Sequence, residues 1–109
     1  MSMYNRAMRV MVFFDLPTGT RKERRIYSQF RKNLINDGFE MLQYSVYCRI
    51  TMNHDDANKY INRIRAYLPP KGSVRLMKIT EKQYQSMLVL VGEETLNEKY
   101  LTPKELIEL

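Results

Sequence analysis

Met8-Arg9-Val10-Met11-Val12-Phe13-Phe14-Asp15-Leu16-Pro17-Thr18-Gly19-Thr20 decides how the rest of the chain is read. A nearly continuous apolar run stops at a single carboxylate and turns, which reads as a buried central strand over residues 8–15 rather than a helix. Asp15 then stands at the carboxyl end of that strand, where a sheet fixes the backbone and leaves the side chain facing open space. Residues 20–37 follow with six cations, Arg21, Lys22, Arg24, Arg25, Arg31 and Lys32, against Glu23 and Asp37. A carboxylate beside a cationic helix suggests a phosphate backbone with a metal nearby.

Working outward, Thr20-Arg21-Lys22-Glu23 is a capping box, so a helix starts at about Arg21. Its buried stripe is Ile26, Tyr27, Phe30 and Leu34, with Arg21, Arg24, Arg25 and Lys32 on or near the opposite side; Ile35 does not fit the stripe. Asp37-Gly38 supplies the C-terminal glycine that ends it. In residues 39–50, Leu42, Tyr44, Val46, Cys48 and Ile50 alternate against Gln43, Ser45, Tyr47 and Arg49, a half-buried antiparallel pattern. The opposite parity of Phe39 and Met41 fits either one bulged strand or two short strands meeting near Gln43. The set Gln43, Ser45, Tyr47 and Arg49, polar yet aromatic, suits a wet protein contact on the second face of the sheet.

Asn53-His54-Asp55-Asp56 offers caps for a second helix with Ala57, Tyr60, Ile61, Ile64 and Leu68 as its stripe, stopped by Pro69-Pro70-Lys71-Gly72. Ser73 to Thr80 alternates as a strand, Thr80-Glu81-Lys82-Gln83 caps one further turn, and Met87-Leu88-Val89-Leu90-Val91 reads as a last strand ended by Gly92. The order is βαββαβ plus a strand, an α+β, ferredoxin-like arrangement with both helices on one sheet face. Residues 1–93 make that single domain. Residues 94–109 form a tail whose Leu96, Tyr100, Leu101, Leu106, Ile107 and Leu109 are expected to dock on a partner.

With 109 residues, a formal charge of +6 and a pI near 9.5, the chain favours an anionic partner, nucleic acid being the commonest; a merely soluble basic surface is the alternative. One cysteine, Cys48, excludes an intrachain disulfide and a cysteine-rich zinc site, and fits a reducing cytoplasm. The N-terminal residues lack a signal sequence, and the first apolar run is too short to span a membrane, so a cytoplasmic protein is expected. His54, the only histidine, sits among cap residues, and neither a hydrolase triad nor a glycine-rich phosphate loop can be assembled. Asp15 alone cannot hold magnesium well, whereas two copies facing each other across a dimer axis could hold one ion. The competing reading is that Asp15 only caps the turn at Thr18 or Thr20. An RNA-recognition module of the same fold is disfavoured, because Tyr44-Ser45-Val46-Tyr47-Cys48-Arg49 lacks the basic-Gly-aromatic-Gly-aromatic run.

The ordered set of Met11-Val12-Phe13-Phe14-Asp15-Leu16-Pro17-Thr18, the basic helix with Tyr27, Phe30 and Arg31, Gly38-Phe39, Gln43-Tyr44-Ser45-Val46-Tyr47, and Lys71-Gly72 ahead of a strand resembles the CRISPR-associated Cas-two (Cas2) family. Thr80-Glu81-Lys82-Gln83, an apolar strand and Gly92-Glu93 resemble the branch from systems with the large single-protein effector nuclease. The resemblance implies a homodimer whose last strand, through Leu88, Val89, Leu90 and Val91, crosses onto the partner's sheet. It also implies a role in spacer acquisition, with a prespacer duplex lying between two dimers of the integrase Cas-one; from the basic helix itself, Arg21, Lys22, Arg24, Arg25, Arg31 and Lys32 are expected to hold the backbone of duplex DNA, prespacer and CRISPR repeat. Family members are further described as metal-dependent endonucleases, with the aspartate matching Asp15 binding Mg2+; this makes Asp15 the candidate catalytic and metal residue. A scaffold is the favoured role, and a magnesium-dependent endoribonuclease the alternative.

Overall fold

A computed structural model describes residues 6–92; the expected docking tail, residues 94–109, lies outside them. The described chain runs β1 (Met8–Asp15), α1 (Arg21–Asn36), β2 (Glu40–Gln43), β3 (Val46–Thr51), α2 (His54–Arg65), β4 (Ser73–Thr80) and α3 (Glu81–Gln85). The four strands form one sheet in the order β2-β3-β1-β4, every neighbouring pair antiparallel. This is the expected α+β, ferredoxin-like βαββαβ unit, with β1 in the interior where its apolar run belongs.

The period of two in β1 splits its side chains between two environments. Met8, Val10, Val12 and Phe14 join Phe30 and Leu34 of α1, Ala57 and Ile64 of α2, and Phe39 and Tyr47 in the main core. Phe14 is its aromatic centre, edge-on to Phe30 at 5.1 Å and stacked on Tyr47 at 5.6 Å. Met11 and Phe13 face the other way and meet Cys48, Leu42, Val46, Ile79 and Tyr84 in a smaller cluster. Burial of the full side-chain length of Phe30 and Leu34 confirms the α1 stripe, and Ile35 is exposed as its misfit to that stripe requires.

α1 begins where the capping box places it: Glu23 N donates to Thr20 Oγ1 and Thr20 N to Glu23 Oε1. It ends at Gly38, whose φ of 85° only glycine adopts without strain and whose missing side chain leaves room for the Arg49 guanidinium. α1 and α2 are clamped together at this end. Arg63 donates two hydrogen bonds to Asp37 Oδ1, Tyr67 Oη donates to Asp37 Oδ2, and Arg49 bridges the Asp37 carbonyl and Tyr60 Oη. The Arg63 hydrogen bonds hold the Asp37 carboxyl below its ordinary pKa.

Two expectations are corrected, and one alternative that the sequence left open is decided. Residues 39–50 form two strands, joined by the two-residue turn Tyr44-Ser45 and bulged at Leu42 between the pairs Met41↔Tyr47 and Gln43↔Val46. The parity of β3 is the reverse of the expected one: Tyr47 is 1% exposed and lies under the helices with Arg49, while Val46, Cys48 and Ile50 line the second face. Polarity misled there because the Tyr47 ring and the Arg49 stem supply packing surface while their polar ends find partners near the edge of the core. In α2 the helix ends at Arg65, so Leu68 falls outside the stripe and is exposed, and Tyr67 packs on the core instead. Within the single chain residues 87–91 pair with no strand, leaving Leu88, Leu90 and Val91 80, 87 and 94% exposed; the strand expected there is one that pairs with a second copy.

α3 covers one end of the second face. Arg9, 1% exposed, makes paired hydrogen bonds to Glu81 (2.6 and 3.0 Å) and lies 4.0 Å from the Tyr84 ring centroid. The second face is therefore closed at the Arg9 end of β1 and open at the Asp15 end.

Candidate nucleic-acid interface

Asp15 ends β1 at the open end of the second face, and its position is tightly prescribed. Gly72, at φ 97°, brings the start of β4 so close that a Cβ there would sit 2.6 Å from the Asp15 carbonyl oxygen. Only glycine permits this approach. On the other flank Phe14 N donates to the Ser45 carbonyl at 3.1 Å, tying the tip of the β2–β3 hairpin to the end of β1. Ser45 itself holds φ 63°, a left-handed conformation that costs a non-glycine residue about 1 kcal/mol.

Asp15 thus opens onto a shallow groove of about 290 Å3 lined by Phe13, Phe14, Asp15, Tyr44, Ser45, Val46, Ser73 and Arg75. Asp15 pairs in register with Ser73, and Arg75 with Phe13, so the carboxylate and the guanidinium are diagonal neighbours on one face. Both are exposed, and no ion pair among the described residues joins Asp15 to Arg75 or to any other cation. No hydrogen bond from Asp15 to Thr18 or Thr20 is present either: the Thr20 hydroxyl takes Glu23 N, and the carbonyls of Thr18 and Gly19 take Arg24 Nη1. The turn-cap reading of Asp15 therefore finds no support in the geometry.

As a candidate metal site the groove offers one carboxylate, Asp15. Among the described residues no group of three or more His, Cys, Asp or Glu side chains is placed to hold an ion. One carboxylate fits the minimum for magnesium, which keeps waters and takes substrate phosphate oxygens, and a second copy of the chain would double it. His54 opens α2 as an exposed first-turn residue and takes no part.

The cationic residues divide into two kinds. Arg21, Lys22, Arg25, Arg31 and Lys32 are exposed on α1 without an acidic partner among the described residues. Arg24 is committed to the β1–α1 loop through the Thr18 and Gly19 carbonyls at 3.1 and 3.3 Å. Beside the helix start, Leu16, Pro17, Ile26 and Pro70 floor a second hollow rimmed by Lys22 and Lys71. Cys48 is buried on the second face, and burial pushes its thiol up to about 11, which makes it an inert core residue.

Tyr44, Ser45, Gly72 and Arg75 were not legible as site residues. The Tyr44-Ser45 turn lacks the Asn-Gly or Asp-Gly signature of tight hairpins, and Arg75 becomes a neighbour of Asp15 only through β1–β4 register. The one available signal was Lys71-Gly72 ahead of a strand.

A small α+β domain with a four-stranded antiparallel sheet, two helices on one face, a basic first helix and a lone carboxylate at the end of its central strand defines the class. Comparison with known proteins identifies the family: the profile described as CRISPR associated protein Cas2 matches residues 8–87, and the chain belongs to that family. It is 50% identical over 92 residues to a CRISPR-associated endoribonuclease Cas2 from Acidovorax ebreus, covering 84% of this chain and 90% of that protein. A protein of the same name from Ligilactobacillus salivarius is 51% identical over 87 residues, 80% of this chain and 86% of the relative. A third, from Flavobacterium psychrophilum, is 46% identical over 82% of this chain and 77% of its own length. No helix among the described residues is long and apolar enough to cross a membrane.

Proposed function

We propose that this Cas2 chain serves spacer acquisition as a dimeric scaffold, gripping the backbone of a prespacer duplex on α1 and bridging dimers of the integrase Cas-one. The observation that carries this reading is the outer side of α1, where Arg21, Arg25 and Lys32 stand opposite Phe30 and Leu34 with no acidic partner among the described residues. A rigid helix presenting unpaired cations holds phosphates without reading bases. The dimer follows from residues 88–91: four exposed apolar side chains in a row invite addition to a sheet edge of a second copy, which removes their exposure.

The test is duplex binding as a function of salt. Phosphate neutralisation releases counterions, so affinity falls log-linearly with salt. The combined change Arg21→Glu, Arg25→Glu, Lys32→Glu should weaken all duplexes alike while leaving Arg24 to hold the loop; unchanged affinity would remove α1 as the binding surface.

A second reading, a magnesium-dependent endoribonuclease, is favoured by two observations: the unpartnered Asp15 in an open groove and the names of the relatives. Asp15 would hold the ion at the β1 end, where the close approach of Gly72 to the Asp15 carbonyl oxygen fixes the backbone from which the carboxylate projects. When bound, magnesium polarises a phosphodiester and lowers the pKa of a bound water. Cleavage of RNA by the pure dimer with magnesium, abolished by Asp15→Ala while integration with Cas-one survives, would assign both roles to one protein. Loss of integration in a dimeric, DNA-binding Asp15→Ala variant would instead overturn the scaffold.

A further inference from the structure

We propose that the groove beside Asp15 clamps one nucleotide of a single strand, with Tyr44 stacking on the base and Arg75 holding the adjacent phosphate. The inference rests on the second reading above for its chemistry, but its binding step stands on other residues. Tyr44 is 76% exposed at the hairpin tip, so its ring is open to a ligand. It is also not loose. Its ring lies nearly parallel to Tyr27, with centroids 6.4 Å apart and planes at 22°. The hairpin tip is fixed by Phe14 N to the Ser45 carbonyl and by the 3.5 Å contact of Tyr27 Oη with Ser45 Oγ. A preorganised exposed aromatic is a stacking platform, since every base offers a π face.

Arg75 lines the same groove on the β4 side, exposed and without an ion-pair partner among the described residues. Its planar guanidinium suits bidentate contact with phosphate oxygens. Tyr44 and Arg75 line the same groove as Asp15, so a strand held by both would pass the carboxylate. A base can reach Tyr44 only if it is unstacked and unpaired, which selects single strands and separates this groove from the duplex-binding side of α1.

The experiment measures binding by the full chain, without magnesium, of a 2-aminopurine-labelled oligonucleotide. RNA and DNA strands of one sequence form separate arms, with the matching duplex as control. Tyr44→Leu should lower single-strand affinity roughly 5- to 150-fold and remove the quenching that stacking produces, while Tyr44→Phe keeps both. Arg75→Gln should lower single-strand affinity and reduce its log-log salt slope by about 0.7, one phosphate contact. The RNA and DNA arms show which strand the groove prefers; a loss in either supports the clamp. Duplex affinity should be unchanged in all three variants. The clamp is overturned if single-strand affinity and quenching survive Tyr44→Leu, if duplex affinity falls by the same factor, or if sedimentation shows that Arg75→Gln acts by separating subunits. Wild-type protein that clamps single strands but never cleaves RNA would remove the endoribonuclease reading and leave the clamp. Cleavage that persists with unaltered binding in the variants would do the reverse.

Discussion

The two faces of the sheet are built from the same strands and reach opposite ends. On the helix face, Val10, Val12 and Phe14 are sealed by Phe30, Leu34 and Ile64, and the chain completes its own core. On the second face, Met11 and Cys48 are covered only where α3 folds back, and Ile50 and Met77 remain 38 and 48% exposed. A sheet face that the chain leaves half dressed is available for assembly and ligands, while the sealed face does the folding. Asp15 sits at the boundary, held by the rigidity of one face and displayed by the openness of the other.

The sharpest break in this comparison is expected from cavity mutations. Phe30→Ala should cost about 3–5 kcal/mol in denaturant unfolding, whereas Met77→Ala, measured where the chain is monomeric, should cost under about 1 kcal/mol. Equal costs would mean that the second face is as tightly packed as the first. Next comes the buried pair that pins α3. Arg9→Met leaves Glu81 buried without its cation and should cost about 3 kcal/mol, and adding Glu81→Leu should recover much of that loss. A double variant as unstable as the single one would show that α3 docks by the pair itself rather than by Tyr84 packing.

A smaller effect is expected at the helix clamp. Asp37→Asn should cost about 1–2 kcal/mol at neutral pH, the lower part of the range for charged hydrogen bonds, since Arg63 is 58% exposed and screened by solvent. Because the folded carboxyl lies below its ordinary 3.8, its contribution is present above that pH and disappears as pH falls through the folded value. The gap between wild type and variant should therefore close in acid; a gap independent of pH would point to packing rather than charge. The smallest effect on folding is expected at residues 88–91. Leu88→Ser with Leu90→Ser should change monomer stability by less than about 0.5 kcal/mol yet shift sedimentation from dimer to monomer. A dimer that ignores both changes would place the interface elsewhere.

β1, the α1 capping box and stripe, and the Gly38 stop were legible because each is a local rule: periodicity, a four-residue cap, a left-handed glycine. Asp15 at the strand end was legible for the same reason. The parity of β3 was not, because Tyr47 and Arg49 are amphipathic and their polarity does not report which way the strand faces. Residues 87–91 carry the composition of a strand, and composition does not say which edge, in the same chain or a second copy, such a segment joins.

The sequence by itself determined the βαββαβ order, the cationic side of α1 and the position of Asp15, since each is built from residue type and spacing within single elements, and the ordered set of motifs along the chain carried the resemblance to the family. Only the tertiary structure decided which strand face the helices cover, that Arg24 is tied to its loop, and that Tyr44, Ser45, Ser73 and Arg75 surround Asp15. Those relations depend on register between strands distant in sequence and on a left-handed serine, and no local pattern encodes either.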